Sequence, residues 1–168
     1  LLRARNDAAH DGLTGLANRR SAMARLDADI AQAHRHGQPL SLLTLDLDHF
    51  KRINDAYGHA AGDRVLTEFA TVLRESLRLG DVGARIGGEE FAIVLPETNR
   101  EQATVACERL RWAVEHHSFI YHSLRLPVTV SVGVAISTSE TTGPDELFRA
   151  ADANLYEAKR TGRNRVVG

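Results

Sequence analysis

Apolar positions along this chain change their spacing from one stretch to the next, and each change marks an element. From Arg19 to His36, Ala22, Leu26, Ile30 and Ala33 recur at helical spacing, with Gly37 as a stop. A stronger stripe of Val65, Leu66, Phe69, Val72, Leu73 and Leu77 predicts a helix over Gly62–Leu77. Ala103, Ala106, Cys107, Leu110 and Val114 predict another over Arg100–His116. Pro144 and Asp145 open a last helix, which runs to Thr161 before Gly162 ends it. Phe50–Tyr57, closed by Gly58, has the length of a short helix.

Strand-like runs lie between these helices. Leu40–Asp46 is mostly apolar, bounded by Pro39 and by acids, as a buried strand is. Val82–Ile86 and Glu90–Leu95 flank Gly87-Gly88 in the manner of a hairpin. Over Val128–Ile136 the valines at 128, 130, 132 and 134 share one face with Ile136. Thr129, Ser131, Gly133 and Ala135 make the other face so small that a second element must pack closely on it. A brief strand, Arg165–Val167, closes the chain. Because the hairpin prevents a purely parallel arrangement, the predicted fold is α/β (α+β). It is a central mixed, mostly antiparallel sheet flanked by helices, as in ferredoxin-like βαββαβ cores.

Composition narrows the function. The 168 residues fit one domain, with 43% hydrophobic and 26% charged residues and a net charge of -1. No broad basic surface is available for nucleic acid or an anionic membrane, so neither is an expected partner. Phosphate contacts must come from local lysines and arginines. The single cysteine, Cys107, suits a reducing compartment and a buried structural role. No apolar run reaches bilayer length. The opening Leu1-Leu2-Arg3-Ala4-Arg5 favours helix, so residues 1–10 are expected to be the tail of a helix arriving from upstream and 11–168 one folded domain. The expected location is cytoplasmic, either alone or as the cytoplasmic part of a larger, membrane-attached protein.

Two acidic clusters carry the candidate chemistry. Asp46-Leu47-Asp48-His49-Phe50-Lys51 falls where the buried strand ends, and hard carboxylates beside a lysine suit Mg²⁺ and a nucleotide phosphate. The same residues also read as an acidic strand-to-helix connection capped by Asp48. In Gly87-Gly88-Glu89-Glu90 the glycines admit a ligand close to the backbone and the acids meet it, although any solvated Gly-Gly hairpin has this form. The eight histidines and the lone cysteine lack zinc-ligand spacing. Trp112 and the three tyrosines read most simply as packing residues.

Five stretches, taken in order, make the chain similar to the GGDEF family of diguanylate cyclases. They are Asp11-Gly-Leu-Thr-Gly-Leu-Ala-Asn-Arg-Arg20, Asp46-Leu-Asp-His-Phe-Lys-Arg-Ile-Asn-Asp55, Gly58-His-Ala-Ala-Gly-Asp63, Arg85-Ile-Gly-Gly-Glu-Glu-Phe91 and Ala151-Asp-Ala-Asn-Leu-Tyr-Glu-Ala-Lys-Arg-Thr-Gly-Arg-Asn-Arg165. The resemblance implies a nucleotidyl-cyclase palm-type core that joins two GTP molecules into cyclic di-GMP. It also implies a Mg²⁺ cofactor, with Mn²⁺ able to substitute, held by Asp46, Glu89 and the Leu47 carbonyl and supported by Glu90. Glu89, or a water beside it, would take the proton of the attacking 3′-hydroxyl, with Glu90 and Lys51 as further catalytic candidates. Asn54 and Asp63 would read guanine, a carboxylate accepting from guanine N–H groups that adenine does not offer. Asp63 also reads as a plain helix N-cap. Phe50 and Gly88 would complete the GTP site, and Lys51, Lys159 and Arg163 would contact the terminal phosphates. Lys159 and Arg163 lie four apart, on one face if the last helix persists.

Arg78-Leu79-Gly80-Asp81 ends ahead of Gly87 at the spacing of the family's inhibitory product site, for which Arg109 is a secondary arginine. Relatives that bind without turnover lose the first aspartate or the hairpin acids, and this chain has both. The resemblance further implies a two-fold homodimer in the active state, with the separate domain largely monomeric and weakly active.

Overall fold

The computed structural model describes residues 8–168, so the expected upstream helix over residues 1–10 falls largely outside the described residues. A two-residue strand β1 (Ala17–Asn18) leads into α1 (Arg19–His36). There follow β2 (Leu40–Leu47), α2 (Phe50–Tyr57), α3 (His59–Ser76), β3 (Val82–Arg85), β4 (Glu90–Pro96) and α4 (Arg100–His116). A small separate hairpin, β5 (Phe119–Tyr121) and β6 (Leu124–Leu126), precedes β7 (Val130–Ile136), α5 (Pro144–Arg160) and β8 (Val166–Val167).

The main sheet has six strands in the order β1-β3-β4-β2-β7-β8. Pairing is antiparallel for β3–β4, β4–β2 and β2–β7, and parallel only where β1 and β8 join the edges. The four long strands form the ferredoxin-like arrangement, with β2 at the centre and buried along its whole length.

Strand alternation sorts the side chains onto two faces. Leu43, Leu45 and Leu47 of β2 join Phe91, Ile93 and Leu95 of β4 and Val130, Val132 and Val134 of β7 in one core, packed with the apolar stripes of α3 and α4. Leu40 and Leu42 join Ala92, Val94 and Ala135 in a second core with α1 and α5. The small face of β7 is filled as its composition requires. A methyl on Gly133 would lie 2.2 Å from the Ala151 carbonyl oxygen and 2.3 Å from the Leu155 nitrogen of α5. No helix among the described residues is long and apolar enough to cross a membrane.

Candidate active site

The period of β2 decides what Asp46 meets. Asp46 shares the face of Leu40 and Leu42, which α5 covers, and pairs across the sheet with Glu90 on β4 and Ser131 on β7. From the end of α5, Lys159 reaches back and its ammonium bonds the Asp46 carboxylate, which is itself buried. Glu89 sits in the turn before β4, half-buried beside the same carboxylate. Burial comes first and the Asp46 charge second in holding the Glu89 carboxyl above its usual range; Lys159 opposes the rise and Glu90 adds to it. Two crowded carboxylates with one cation form a donor set suited to a hard divalent ion, and the Leu47 backbone lies between them, its N–H directed to the Glu89 carbonyl. Among the described residues no three His, Cys, Asp or Glu side chains cluster as a metal site, so a bound ion here would draw further oxygens from substrate or water.

The turn itself is held from behind. The Glu90 carbonyl accepts from the Ile86 and Gly87 N–H groups, at 2.9 and 3.2 Å, closing the hairpin. The Glu90 side chain folds over Gly87. Among the described residues, apart from its chain neighbours, nothing lies within 4 Å of where a Gly88 side chain would begin, leaving that backbone open to a ligand. Arg85 donates to the Gly88 carbonyl at 2.8 Å and pairs with Asp11 at 3.3 Å, tying the turn to the Asp11–Asn18 loop. Burial would raise the Asp11 carboxyl, but bonds from the Thr14 side chain and backbone, with Arg85, outweigh it and hold the carboxyl below its usual range. Asp11 and Arg85 each open a motif stretch, but sequence assigns neither a role, because their pairing is a contact across 74 positions.

Asp48 is not the helix cap that one reading of the sequence gave it. The N-cap of α2 is His49, in a left-handed conformation and with no side-chain capping bond. The buried Asp48 carboxylate instead accepts from Ser131 Oγ at 2.6 Å, Thr129 Oγ1 at 2.7 Å and the Asn164 N–H at 2.9 Å. The two acids of this D-x-D are therefore divided, Asp46 toward Lys159 and Asp48 toward β7 and the final loop.

Phe50 is buried at the start of α2, Lys51 is exposed beside it, and Asn54 lies one turn on. Asn54 rests against α3 where Gly62 has no side chain; a methyl there would fall 1.9 Å from Asn54 Oδ1. Because α3 begins at His59 rather than Gly62, Asp63 lies inside the helix and is no N-cap. It is exposed and borders a cavity of about 580 Å³ with Leu13, Arg64 and the β5–β6 hairpin. Lys159 and Arg163 do not share a helical face, since α5 ends at Arg160 and Arg163 has a left-handed backbone with φ 63°.

A second constellation lies at the far end of α3. Arg78, Asp81 and Arg109 border one cavity of about 440 Å³, floored by apolar residues including Leu77, Ile93 and Leu110. Asp81 accepts from the Arg78 N–H at 2.8 Å, and the Arg78 guanidinium bonds Thr98 Oγ1 at 2.7 Å. Two packing expectations need correction. Trp112 is 58% exposed and stacks on His116, and Tyr57 and Tyr156 are also exposed, whereas Tyr121 packs against the core as expected. Trp112 and Tyr156 fall off the apolar stripes of their helices, which is why they face outward. Cys107 is buried in the core, and burial pushes its thiol far above the usual range.

The mixed sheet and the order of motifs along it are those of one family. The family described as diguanylate cyclase, GGDEF domain, matches residues 8–165, and the chain belongs to that family. Over 162 residues it is 45% identical to diguanylate cyclase DgcP of Pseudomonas aeruginosa, a match covering 96% of this chain and 24% of DgcP. Among solved structures, the coiled coil and GGDEF domain of DgcB from Caulobacter crescentus, in complex with c-di-GMP, superposes with a TM-score of 0.93 at 36% identity. That superposition covers 99% of this chain and 88% of DgcB's. The active GGEEF domain of a diguanylate cyclase from Vibrio cholerae superposes with a TM-score of 0.84 at 37% identity, covering 90% and 96%. The chain spans about a quarter to a third of the length of the curated relatives DgcP and the response regulator PleD of Caulobacter vibrioides.

Proposed function

We propose that this chain supplies one half of an active site that condenses two GTP molecules into cyclic di-GMP, releasing pyrophosphate. The observation that carries this reading is the convergence of Asp46, Glu89 and Lys159 where the central strand ends. In this reading each domain binds one GTP. The ribose 3′-oxygen of each attacks the α-phosphorus of the other, so two P–O bonds form, two bonds to pyrophosphate break, and two pyrophosphates leave. Glu89, or a water beside it, accepts the hydroxyl proton. Asp46, Glu89 and the Leu47 carbonyl, supported by Glu90, would hold Mg²⁺ or Mn²⁺, which when bound lowers the hydroxyl's pKa and offsets charge on the phosphates. Asn54 and Asp63 recognise guanine, Phe50 and Gly88 shape the site, and Lys51, Lys159 and Arg163 contact the terminal phosphates. Because a single copy holds one GTP, turnover requires two copies facing each other with two-fold symmetry.

Arg78, Asp81 and Arg109 are assigned to an inhibitory product site, a role supported by their common cavity and by c-di-GMP in the DgcB structure. The test of the activity is chromatographic identification of product after GTP and Mg²⁺ are incubated with the chain at concentrations that bring two copies together. Cyclic di-GMP formation that is abolished when excess EDTA is present from the start is expected; unchanged GTP in the presence of Mg²⁺ would refute the reading. For the inhibitory site, Arg78→Ala should raise the half-inhibiting concentration of cyclic di-GMP about tenfold or more, each protein being normalised to its own uninhibited rate. Equal inhibition of both proteins would leave Arg78-Leu-Gly-Asp81 as a helix-end turn only.

A further inference from the structure

Between α5 and β8 the backbone takes a form that side chains resist. Arg163 and Asn164 are consecutive non-glycine residues in the left-handed region, with φ 63° and 47°. Such conformations persist where the surroundings over-determine them, and asparagine tolerates them better than most residues. Asn164 is fixed on three sides. Its N–H donates to the buried Asp48 carboxylate at 2.9 Å. Its side-chain oxygen accepts from Arg111 Nη1 at 3.0 Å, and its side-chain nitrogen donates to Glu115. Arg111 and Glu115 lie one turn apart on α4 and pair with each other at 3.7 Å. On either side the chain is also anchored, by Arg163 N–H to the Ala158 carbonyl and by the Arg165 carbonyl to Val132 N–H.

We propose that Asn164 is a positioning residue of the nucleotide site. It acts as a pin that joins α4 to the strand end bearing Asp46 and so fixes the turn that presents Arg163. The inference rests on the assignment of Arg163 to the terminal phosphates. Asp48 is two residues past Asp46 on the same chain segment, so one carboxylate sets both the strand end and this turn. Asn164 itself touches no substrate; its effect passes through the backbone of Arg163. Small displacements of a phosphate contact lower the rate steeply, because orientation is then re-established at each encounter.

The test is a double-mutant cycle of Asn164→Ala and Arg163→Ala, read as KM for GTP and as kcat, with circular dichroism confirming the fold. Arg163→Ala should raise KM for GTP about tenfold, and Asn164→Ala by a similar factor, as for loss of a hydrogen bond to a charged group. In the Arg163→Ala background, Asn164→Ala should then add almost nothing. If Asn164→Ala does not fold, Asn164→Gly takes its place, since glycine adopts the left-handed backbone freely and still lacks the pin to Arg111 and Glu115. Full additivity of the two substitutions, or no change in KM from the Asn164 variant alone, would overturn the proposal. An unchanged KM in Arg163→Ala alone would identify the phosphate assignment as the failing step and remove the proposal with it.

Discussion

At the scale of single residues, the site is defined as much by missing side chains as by present ones. Gly62 lies inside α3, where alanine would ordinarily raise helix stability by about 1 kcal/mol. Its methyl, however, would fall on the Oδ1 of Asn54, the free end of a flexible side chain. Asn54 cannot keep its place, and the buried Phe50 ring, whose Cζ would lie 3.1 Å from the methyl, must give slightly, a cost that the helix gain offsets. Gly62→Ala is therefore expected to leave the urea midpoint at or above that of the unsubstituted chain and to weaken GTP binding about tenfold, the order for one lost base contact. Isothermal titration with GTP and an unfolding curve read the two effects separately. Undiminished affinity would mean that Asn54 does not read the base from this position.

At the scale of elements, the strand period explains why Asp46 and Lys159 meet although they are 113 positions apart. Asp46 falls on the face that α5 covers, and α5 can approach because Gly133 and Ser131 lie under it. Here a methyl would strike backbone atoms, which do not swing aside. Gly133→Ala should cost about 3 kcal/mol, the upper range for overpacking, measured by urea denaturation. A loss below about 0.5 kcal/mol, the range of surface substitutions, would show that α5 is not seated so closely. Much of this level was legible in the sequence. The boundaries of α1 and α4 follow from their stripes and stops, and the small face of β7 announced its neighbour. The rest lacked a local signal. Strand β1 is two residues long, and the β5–β6 hairpin turns on His122 and Ser123, both at positive φ and neither a typical turn residue there. Likewise, the acids and amides of the site were legible as a motif. The division of Asp46 from Asp48, and the ties through Arg85 and Asn164, arise only from tertiary contact.

At the scale of the whole molecule, two apolar cores hold one sheet rigid, and the polar groups that matter gather at one end of its central strand. The Asp46 and Glu89 carboxylates crowd together there with Lys159 opposing their repulsion, an arrangement that a substrate-bound cation would relieve further. In the proposed function this cluster brings anionic phosphates and a hydroxyl together, and one copy supplies it for one nucleotide. The most direct measurement is the rate of cyclic di-GMP formation from GTP and Mg²⁺ by the chain and by its Glu89→Ala variant, at equal and high concentration. The proposed function predicts product from the former and a rate at least about a hundredfold lower from the variant, as expected when a group acting on both proton and metal is removed. Equal rates from the two proteins would contradict it.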